Sequence, residues 1–175
     1  MFSEIVIRRG DRADLPSLYP VIERAYRGDS ARLGWTHEAD LLDGDRTSLT
    51  ILEAVVDDPD QRLLIAWRDG TPLGCVTIMD RGDGLAYLGQ LCVEPVLQAG
   101  GLGKRLIAAA EDTAIAEFDA ERVEMTVIEG RAELIAFYAR RGYAATGERR
   151  DFPIALDPPL FMVVLERPLR ELVEG

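Results

Sequence analysis

The stretch VEPVLQAGGLGKR, Val93 to Arg105, lies between an apolar strand pattern that ends at Val93 and an alanine-rich helix pattern that begins near Leu102. Its glycines allow a tight turn and a close approach by a ligand. The first turn of the following helix presents unpaired N–H groups and a partial positive charge. Lys104 and Arg105 add full positive charges. The stretch therefore predicts a cradle for a phosphate group.

Spacing excludes two familiar phosphate cradles. A nucleoside-triphosphate loop, G-x-x-x-x-G-K-[ST], would need glycine at Gln98 and Ser or Thr at Arg105. A dinucleotide fingerprint, G-x-G-x-x-G, would need a third glycine at Leu106. The pattern that fits is Q-x-x-G-x-G, with its glycines at Gly101 and Gly103. Taken alone, this loop is equally consistent with an ordinary strand–turn–helix corner, so the neighbouring elements decide.

Composition narrows the class of protein. The chain has 175 residues, 47% of them hydrophobic and 29% charged, which is typical of a single soluble globular domain over residues 1–175. The net charge of −11 disfavours nucleic-acid binding. It is compatible with a cationic acceptor and equally with an acidic surface that keeps the protein soluble. No apolar run approaches the roughly 20 residues that span a bilayer, and MFSEIVIRRG lacks the order of a signal peptide. We therefore expect a cytoplasmic protein without a membrane partner.

Periodicity predicts the order β-α-α-β-β-β-α-β-α-β-β. The first helix starts from a cap at Asp11 and runs to about Tyr26, and Asp69-Gly70 marks a hairpin. An apolar stripe with a spacing of four defines the helix after the glycine loop. Cys75 and Cys92 lie in apolar strand patterns, which predicts small buried residues rather than a disulfide. The fold class is therefore α/β (α+β), a mixed and mostly antiparallel sheet of about seven strands with helices on both faces.

Several motifs, in this order, resemble the GNAT superfamily of acetyl-CoA-dependent N-acyltransferases. YLGQLCVEP at Tyr87 to Pro95 is similar to the family's strand before the pyrophosphate loop, and the Q-x-x-G-x-G loop follows it. IAFYARRGYAATG at Ile135 to Gly147 resembles its F-Y-x-x-x-G-[FY] helix and turn, and MVVLERPL at Met162 to Leu169 its closing strand. The resemblance covers nearly the whole chain. It implies a central sheet splayed in the middle, acetyl-CoA as co-substrate and no metal.

The resemblance also implies a site. Acyl-CoA would lie where the strand ending at Val93 splays from the strand Val123 to Ile128, with its pantetheine arm paired to main chain and its pyrophosphate in the glycine loop. Tyr138 would be the general acid that protonates the leaving thiolate, since a phenol has an ordinary pKa near 10. The alternative for Tyr138 is a packed core aromatic. The implied cofactor-binding residues are Leu91, Cys92, Val93, Gln98, Ala99, Gly100, Gly101, Leu102, Gly103 and Lys104.

Two departures from the family pattern leave the general base unidentified. Gly89 and Gln90 stand where some polyamine-acetylating relatives carry carboxylates, and Arg131 stands where the family usually has Asn. Arg131 would either meet a phosphate of CoA or be a solvated surface cation. Glu94 lies just past the strand. We expect the acceptor amine to lose its proton to solvent, or through a water held by a carboxylate.

The segment from Arg27 to Thr47 reads as irregular and is the expected wall of the acceptor site. Trp35, Glu38 and Asp40 would bind a cation there by ring face and carboxylate. For the two carboxylates the alternative is a solvated helix start. His37, the only histidine, has no second His or Cys at ligand spacing, which favours a surface histidine over a metal site.

The sequence therefore predicts transfer of an acyl group, with acetyl favoured, from acyl-CoA to an amine of a small molecule or peptide in a direct ternary complex. A second hypothesis is a non-catalytic acyl-CoA-binding or sensor domain, with which the absent strand carboxylates are compatible, although Tyr138 favours an enzyme. A third is an O-acyltransferase or a longer-acyl transferase of the same fold. A homodimer is compatible with the sequence, which does not identify the acceptor.

Overall fold

The computed structural model of the chain describes residues 4–33, 49–94, 97, 101–151 and 159–169, without the side chains of 26–33 and 90. Within these ranges seven strands and four α-helices follow one another in the predicted order. The strands are β1 (Val6–Arg9), β2 (Gln61–Arg68), β3 (Thr71–Gly82), β4 (Leu85–Val93), β5 (Arg122–Ile128), β6 (Ala144–Asp151) and β7 (Phe161–Pro168). The helices are α1 (Leu15–Leu33), α2 (Leu49–Asp57), α3 (Leu102–Phe118) and α4 (Ala132–Ala139).

The start of the first helix follows from local capping. The Asp11 carboxylate accepts from the Ala13 N–H at 3.0 Å, and the Asp14 carboxylate accepts from the Asp11 N–H at 3.0 Å. This reciprocal pair opens a short 3-10 turn, Arg12–Asp14, that leads into α1. The helix then continues to Leu33, so the first part of the segment predicted to be irregular is helical. One glycine costs a helix only about 1 kcal/mol, so Gly28 does not end it.

The strands form one sheet in the order β1-β2-β3-β4-β5-β7-β6. Only β4 and β5 run parallel, and every other neighbouring pair of described strands is antiparallel. Asp69 and Gly70 both adopt positive φ, 51° and 76°, as a tight hairpin requires. The predicted mixed, mostly antiparallel sheet is confirmed.

Helices cover both faces of the sheet, as predicted. On one face α1 and α2 pack over β2, β3 and β4, and the buried residues include Leu63, Ile65, Cys75 and Cys92. On the other face α3 packs over the centre of the sheet through its predicted stripe, Leu102, Leu106, Ala110 and Ala114. We call these the α1/α2 face and the α3/α4 face. Among the described residues, no helix combines the length and the apolar character needed to cross a membrane.

Candidate active site

A fork between the two parallel strands is the main irregularity of the sheet. β4 pairs with β3 as far as Val93, but it pairs with β5 only at Leu85, Ala86 and Tyr87. On its other edge β5 pairs with β7 along its whole length, from Arg122 to Ile128. Within the described ranges no strand pairs with the β5-facing edge of residues 88–93. Its N–H and C=O groups are therefore available to an extended ligand that carries amides.

A β-bulge lies in the same part of β4. Thr77 opposes Gly89 and Cys75 opposes Cys92, so β4 has one more residue than β3 between these pairs. A bulge leaves one residue outside the ladder and redirects the main chain around it. Sequence reasoning did not predict the bulge, although a glycine inside a strand pattern, here Gly89, is its usual signal. The bulge falls beside the main chain that is expected to polarise a thioester carbonyl.

The glycine turn lies at the end of the fork. Gly101 has φ 81° and is the N-cap of α3, with no side chain capping the helix. A Cβ placed at Gly101 would have no other atom within 4 Å, so its surroundings are open. Open space at an uncapped helix N-terminus fits a phosphate group. Leu102 is buried and Lys104 is exposed, whereas Gln98, Ala99 and Gly100 lie outside the described residues.

Tyr138 lies in the core of the α3/α4 face with 5% of its surface exposed. Its ring packs edge-on against Phe137 at 5.2 Å and against Tyr143 at 6.0 Å between centroids. The structure therefore places the predicted acid in a partly desolvated environment next to a second tyrosine. Burial raises the pKa of Tyr143, and the neighbouring Glu111 raises it further.

The hydroxyl of Tyr143 is committed to a buried charged cluster. It donates to Glu111 Oε2 at 2.9 Å, and Arg167 Nη1 donates to Glu111 Oε1 at 2.6 Å. This bond gives Tyr143 a structural partner, so Tyr138 stays the predicted acid of the helix–turn motif. The sequence contains a signal for the cluster that the predictions above leave out. This signal is a carboxylate, Glu111, between Ile107 and Ala114 on the apolar face of α3.

Glu94 is a poorer candidate for the base than its position in the sequence suggests. Its two carboxylate oxygens accept from Nε and Nη2 of Arg24, both at 2.7 Å. The hydrogen bonds from Arg24 lower the pKa of Glu94, which makes the carboxylate a weaker proton acceptor. At Gly89 a Cβ would lie 3.1 Å from Thr77 Oγ1, so a carboxylate at this position would crowd Thr77.

Three further sequence-predicted features have different outcomes. Arg131 is the N-cap of α4, with 9% of its side chain exposed and Glu133 at 3.9 Å, and its role towards CoA stays a prediction. Cys75 and Cys92 are buried and form no disulfide, as predicted. A thiol–thiol hydrogen bond and burial raise the pKa of Cys75. The acceptor candidates Trp35, Glu38 and Asp40 lie outside the described residues, as does His37. The described part of the chain contains no group of acidic, Cys and His residues that could hold a metal ion.

Comparison with known proteins identifies the family of this chain. The model of the GNAT acetyltransferase family matches residues 18–143, so the chain belongs to this family and is an acetyltransferase. It is 37% identical over 114 residues to an IAA acetyltransferase of Azospirillum brasilense. The aligned stretch covers 63% of this chain and 70% of that protein. Members of the family use acetyl-CoA and act on amines of small molecules or proteins.

Solved structures support the fold. The PaiA N-acetyltransferase of Thermoplasma acidophilum in complex with coenzyme A aligns with a TM-score of 0.76 at 18% identity, covering 94% of this chain and 99% of that one. A ribosomal-protein alanine N-acetyltransferase of Escherichia coli aligns with a TM-score of 0.74 at 17% identity, covering 98% of both chains. At this level of identity the likeness concerns the fold alone.

Proposed function

We propose that this acetyltransferase moves the acetyl group of acetyl-CoA directly onto an amine of a small molecule or peptide, within one ternary complex. The observation that carries the proposal is the fork between β4 and β5. It leaves one edge of residues 88–93 without a strand partner among the described residues and leads to an uncapped helix N-terminus. Leu88 and Val93 share a buried cluster with Tyr138. An amide-containing arm with a pyrophosphate at one end and a thioester at the other matches this sequence of features.

In this proposal the main chain of Leu91, Cys92 and Val93 pairs with the pantetheine arm. One free N–H near the bulge polarises the thioester carbonyl, because a fixed donor is most effective where negative charge develops. The segment Gln98–Lys104 binds the pyrophosphate. Gly101 supports this assignment, because its open surroundings allow a phosphate to approach the N–H groups at the start of α3.

Tyr138 then supplies the proton for the departing thiolate. Its ring is buried on the α3/α4 face, and its hydroxyl is the proton donor that a phenol can offer to a leaving group. Direct transfer is favoured over an acyl-enzyme because the described cysteines are poor nucleophiles. Cys75 and Cys92 are buried, and the pKa of the Cys75 thiol is raised.

The proposal is tested by acetyl-CoA binding, measured by calorimetry on wild type and Gly101→Glu. The substitution places a bulky anion where phosphate must approach, so we expect the affinity to fall about 100-fold or more. Gly70→Glu is the matched control, since Gly70 also has positive φ and nothing within 4 Å, but lies in the β2–β3 hairpin. Equal affinities in wild type and Gly101→Glu would contradict the assignment of the pyrophosphate site.

Transfer itself is tested by release of free thiol from acetyl-CoA in the presence of amines, aminoglycosides, polyamines and peptide N-termini. We expect at least one amine to stimulate thiol release. Binding of acetyl-CoA without thiol release for any acceptor would favour a sensor domain. Release only with hydroxyl acceptors would indicate an O-acyltransferase, and release only with longer acyl donors would indicate a longer-acyl transferase.

A further inference from the structure

A side-chain hydrogen bond bridges the fork just past the last main-chain pair. Tyr87 and Glu124 are the last residues through which β4 and β5 pair. Thr126 lies two residues further along β5, and its Oγ1 is 2.8 Å from the Oη of Tyr87, in a partly buried position. The two hydroxyls therefore lie where the strands begin to separate. We call them the hydroxyl pair.

The hydroxyl pair lies on the opposite face of the fork from Tyr138. Along β4 and β5, Ala86, Leu88, Val123 and Met125 are buried in the α3/α4 core together with Tyr138. Because side chains alternate along a strand, Tyr87 and Thr126 point to the α1/α2 face. A thioester held in the fork would have the acid on one side and the hydroxyl pair on the other. Nucleophile and leaving group need such separate positions around one carbonyl.

The residues around the Tyr87 ring fix its position beside the fork. The guanidinium of Arg81 lies 4.8 Å from the centre of the ring. Gly89 lies beside the ring edge, since a Cβ there would be in van der Waals contact with Cε1 of Tyr87 at 3.4 Å. The carboxylate beside Tyr87 in register, Glu124, accepts from both terminal nitrogens of Arg150 at 3.1 and 3.3 Å. It is thereby engaged elsewhere.

We infer that the hydroxyl pair binds the acceptor amine and carries its proton away. This chain has no carboxylate at Gly89 or Gln90 that could remove the proton instead. The inference rests on the proposed function and adds the residues that contact the nucleophile. Either hydroxyl can be the donor in the pair. A hydroxyl both donates and accepts hydrogen bonds. The pair can therefore accept a hydrogen bond from the amine N–H on one side and release a proton on the other.

In the transfer step the amine nitrogen forms its bond to the carbonyl carbon while the carbon–sulfur bond breaks. Starting from an ammonium group, nitrogen loses two protons. One leaves to water on the α1/α2 face through the hydroxyl pair before nitrogen attacks. The other leaves nitrogen to water as the amide forms, and it balances the proton that Tyr138 gives to sulfur and regains from water. The products are the amide, free CoA thiol and one proton, and no oxidant or further co-reactant is needed.

The test uses Tyr87→Phe, Thr126→Val, the double variant and Thr126→Ser, with the best amine of the panel. We expect each single variant to lower kcat/KM for the amine about 10- to 100-fold while the Kd for acetyl-CoA stays within about twofold. Because both hydroxyls belong to one relay, the losses of the two single variants should not multiply. We expect the kcat/KM of the double variant to lie within about threefold of that of the less active single variant. Thr126→Ser keeps a hydroxyl and should regain most of the activity.

Thr113→Val is the matched control. The Thr113 hydroxyl is partly buried and donates to the Ala109 carbonyl at 2.9 Å within α3, rather than to a residue of the two strands of the fork. It should leave kcat/KM unchanged. Unchanged kcat/KM in Tyr87→Phe and Thr126→Val would overturn the inference, as would losses that multiply in the double variant or that match a loss of acetyl-CoA affinity. If wild type itself acetylates no amine, the proposed function fails, whereas an active wild type with unaffected variants contradicts only the relay.

Discussion

The two edges of β4 have different tasks. The edge that faces β3 is paired as far as Val93, with a glycine, Gly74, packed directly against the β4 main chain. The edge that faces β5 is paired for three residues and then opens. Positions that must stay fixed are thus on the paired edge, and groups that can meet a ligand are on the open edge. Because the paired edge holds the strand in place, the open edge can act as a rigid site rather than a loose one.

A change in the site proposed along the open edge should alter turnover and spare the fold. Tyr138→Phe keeps the ring and its packing but removes the proton donor, so we expect kcat to fall about 100-fold or more with little change in acetyl-CoA affinity. Steady-state kinetics and calorimetry on the same preparation measure the two effects. Unaltered kcat, with single-turnover data showing that the chemical step is also unchanged, would return Tyr138 to a packing role.

Tyr143→Phe is the matched control for that variant. It removes a hydroxyl from the same motif, but one that donates to Glu111 rather than to a ligand. We expect a loss of about 1–2 kcal/mol in the free energy of unfolding, because a buried carboxylate loses a partner, and a kcat close to wild type. A large loss of kcat in this variant would instead give the acid role to Tyr143.

A change at the paired edge should do the reverse. A Cβ at Gly74 would lie 2.5 Å from the Cys92 carbonyl oxygen and 3.2 Å from Val93 Cα, so Gly74→Ala must push β3 and β4 apart. We expect it to lower the free energy of unfolding by about 2–3 kcal/mol, measured by urea denaturation. Gly103→Ala makes the same chemical change where the nearest atoms are at 3.7 and 3.8 Å. It should be neutral or slightly stabilising, and equal losses in both variants would refute the steric explanation.

The smallest effect is expected just past the end of β4, at the ion pair of Arg24 and Glu94. Since the folded state lowers the pKa of Glu94, the pair stabilises the fold above the ordinary pKa of 4.5 and loses that contribution as the pH falls through the folded value. Glu94→Gln should therefore be less stable than wild type at neutral pH, by about 0.5–1 kcal/mol, and equal to it once the pH is below the folded pKa. Thermal unfolding of both proteins across this range measures the difference.

The same variant also tests the assignment of the base. Because Glu94 is held by Arg24, Glu94→Gln should leave the pH profile of kcat/KM for the amine unchanged. That profile should rise with pH up to the pKa of the acceptor itself. A lower limb that disappears in Glu94→Gln would show that the carboxylate takes the proton after all.

The sequence alone was enough to predict the element order, the mixed sheet, the family and the glycine turn. These features depend on local rules, which include the alternation of apolar residues, the cap at Asp11, the hairpin at Asp69-Gly70 and the helix stripe from Leu102. Each is encoded within a few neighbouring residues. The motifs around Gly101 and Tyr138 are similarly short, which is why they predicted the cofactor loop and the candidate acid by number.

Only the tertiary structure decided which groups meet across the chain. The sequence separates Tyr87 from Thr126, Arg24 from Glu94, and Glu111 from both Tyr143 and Arg167, and no local pattern pairs them. It also gave no measure of where β4 and β5 part, because strand separation depends on the bulge beside Gly89 and on packing from both faces. Local periodicity determines what each segment becomes, but partners distant in sequence are chosen by the packing of the whole sheet and its helices.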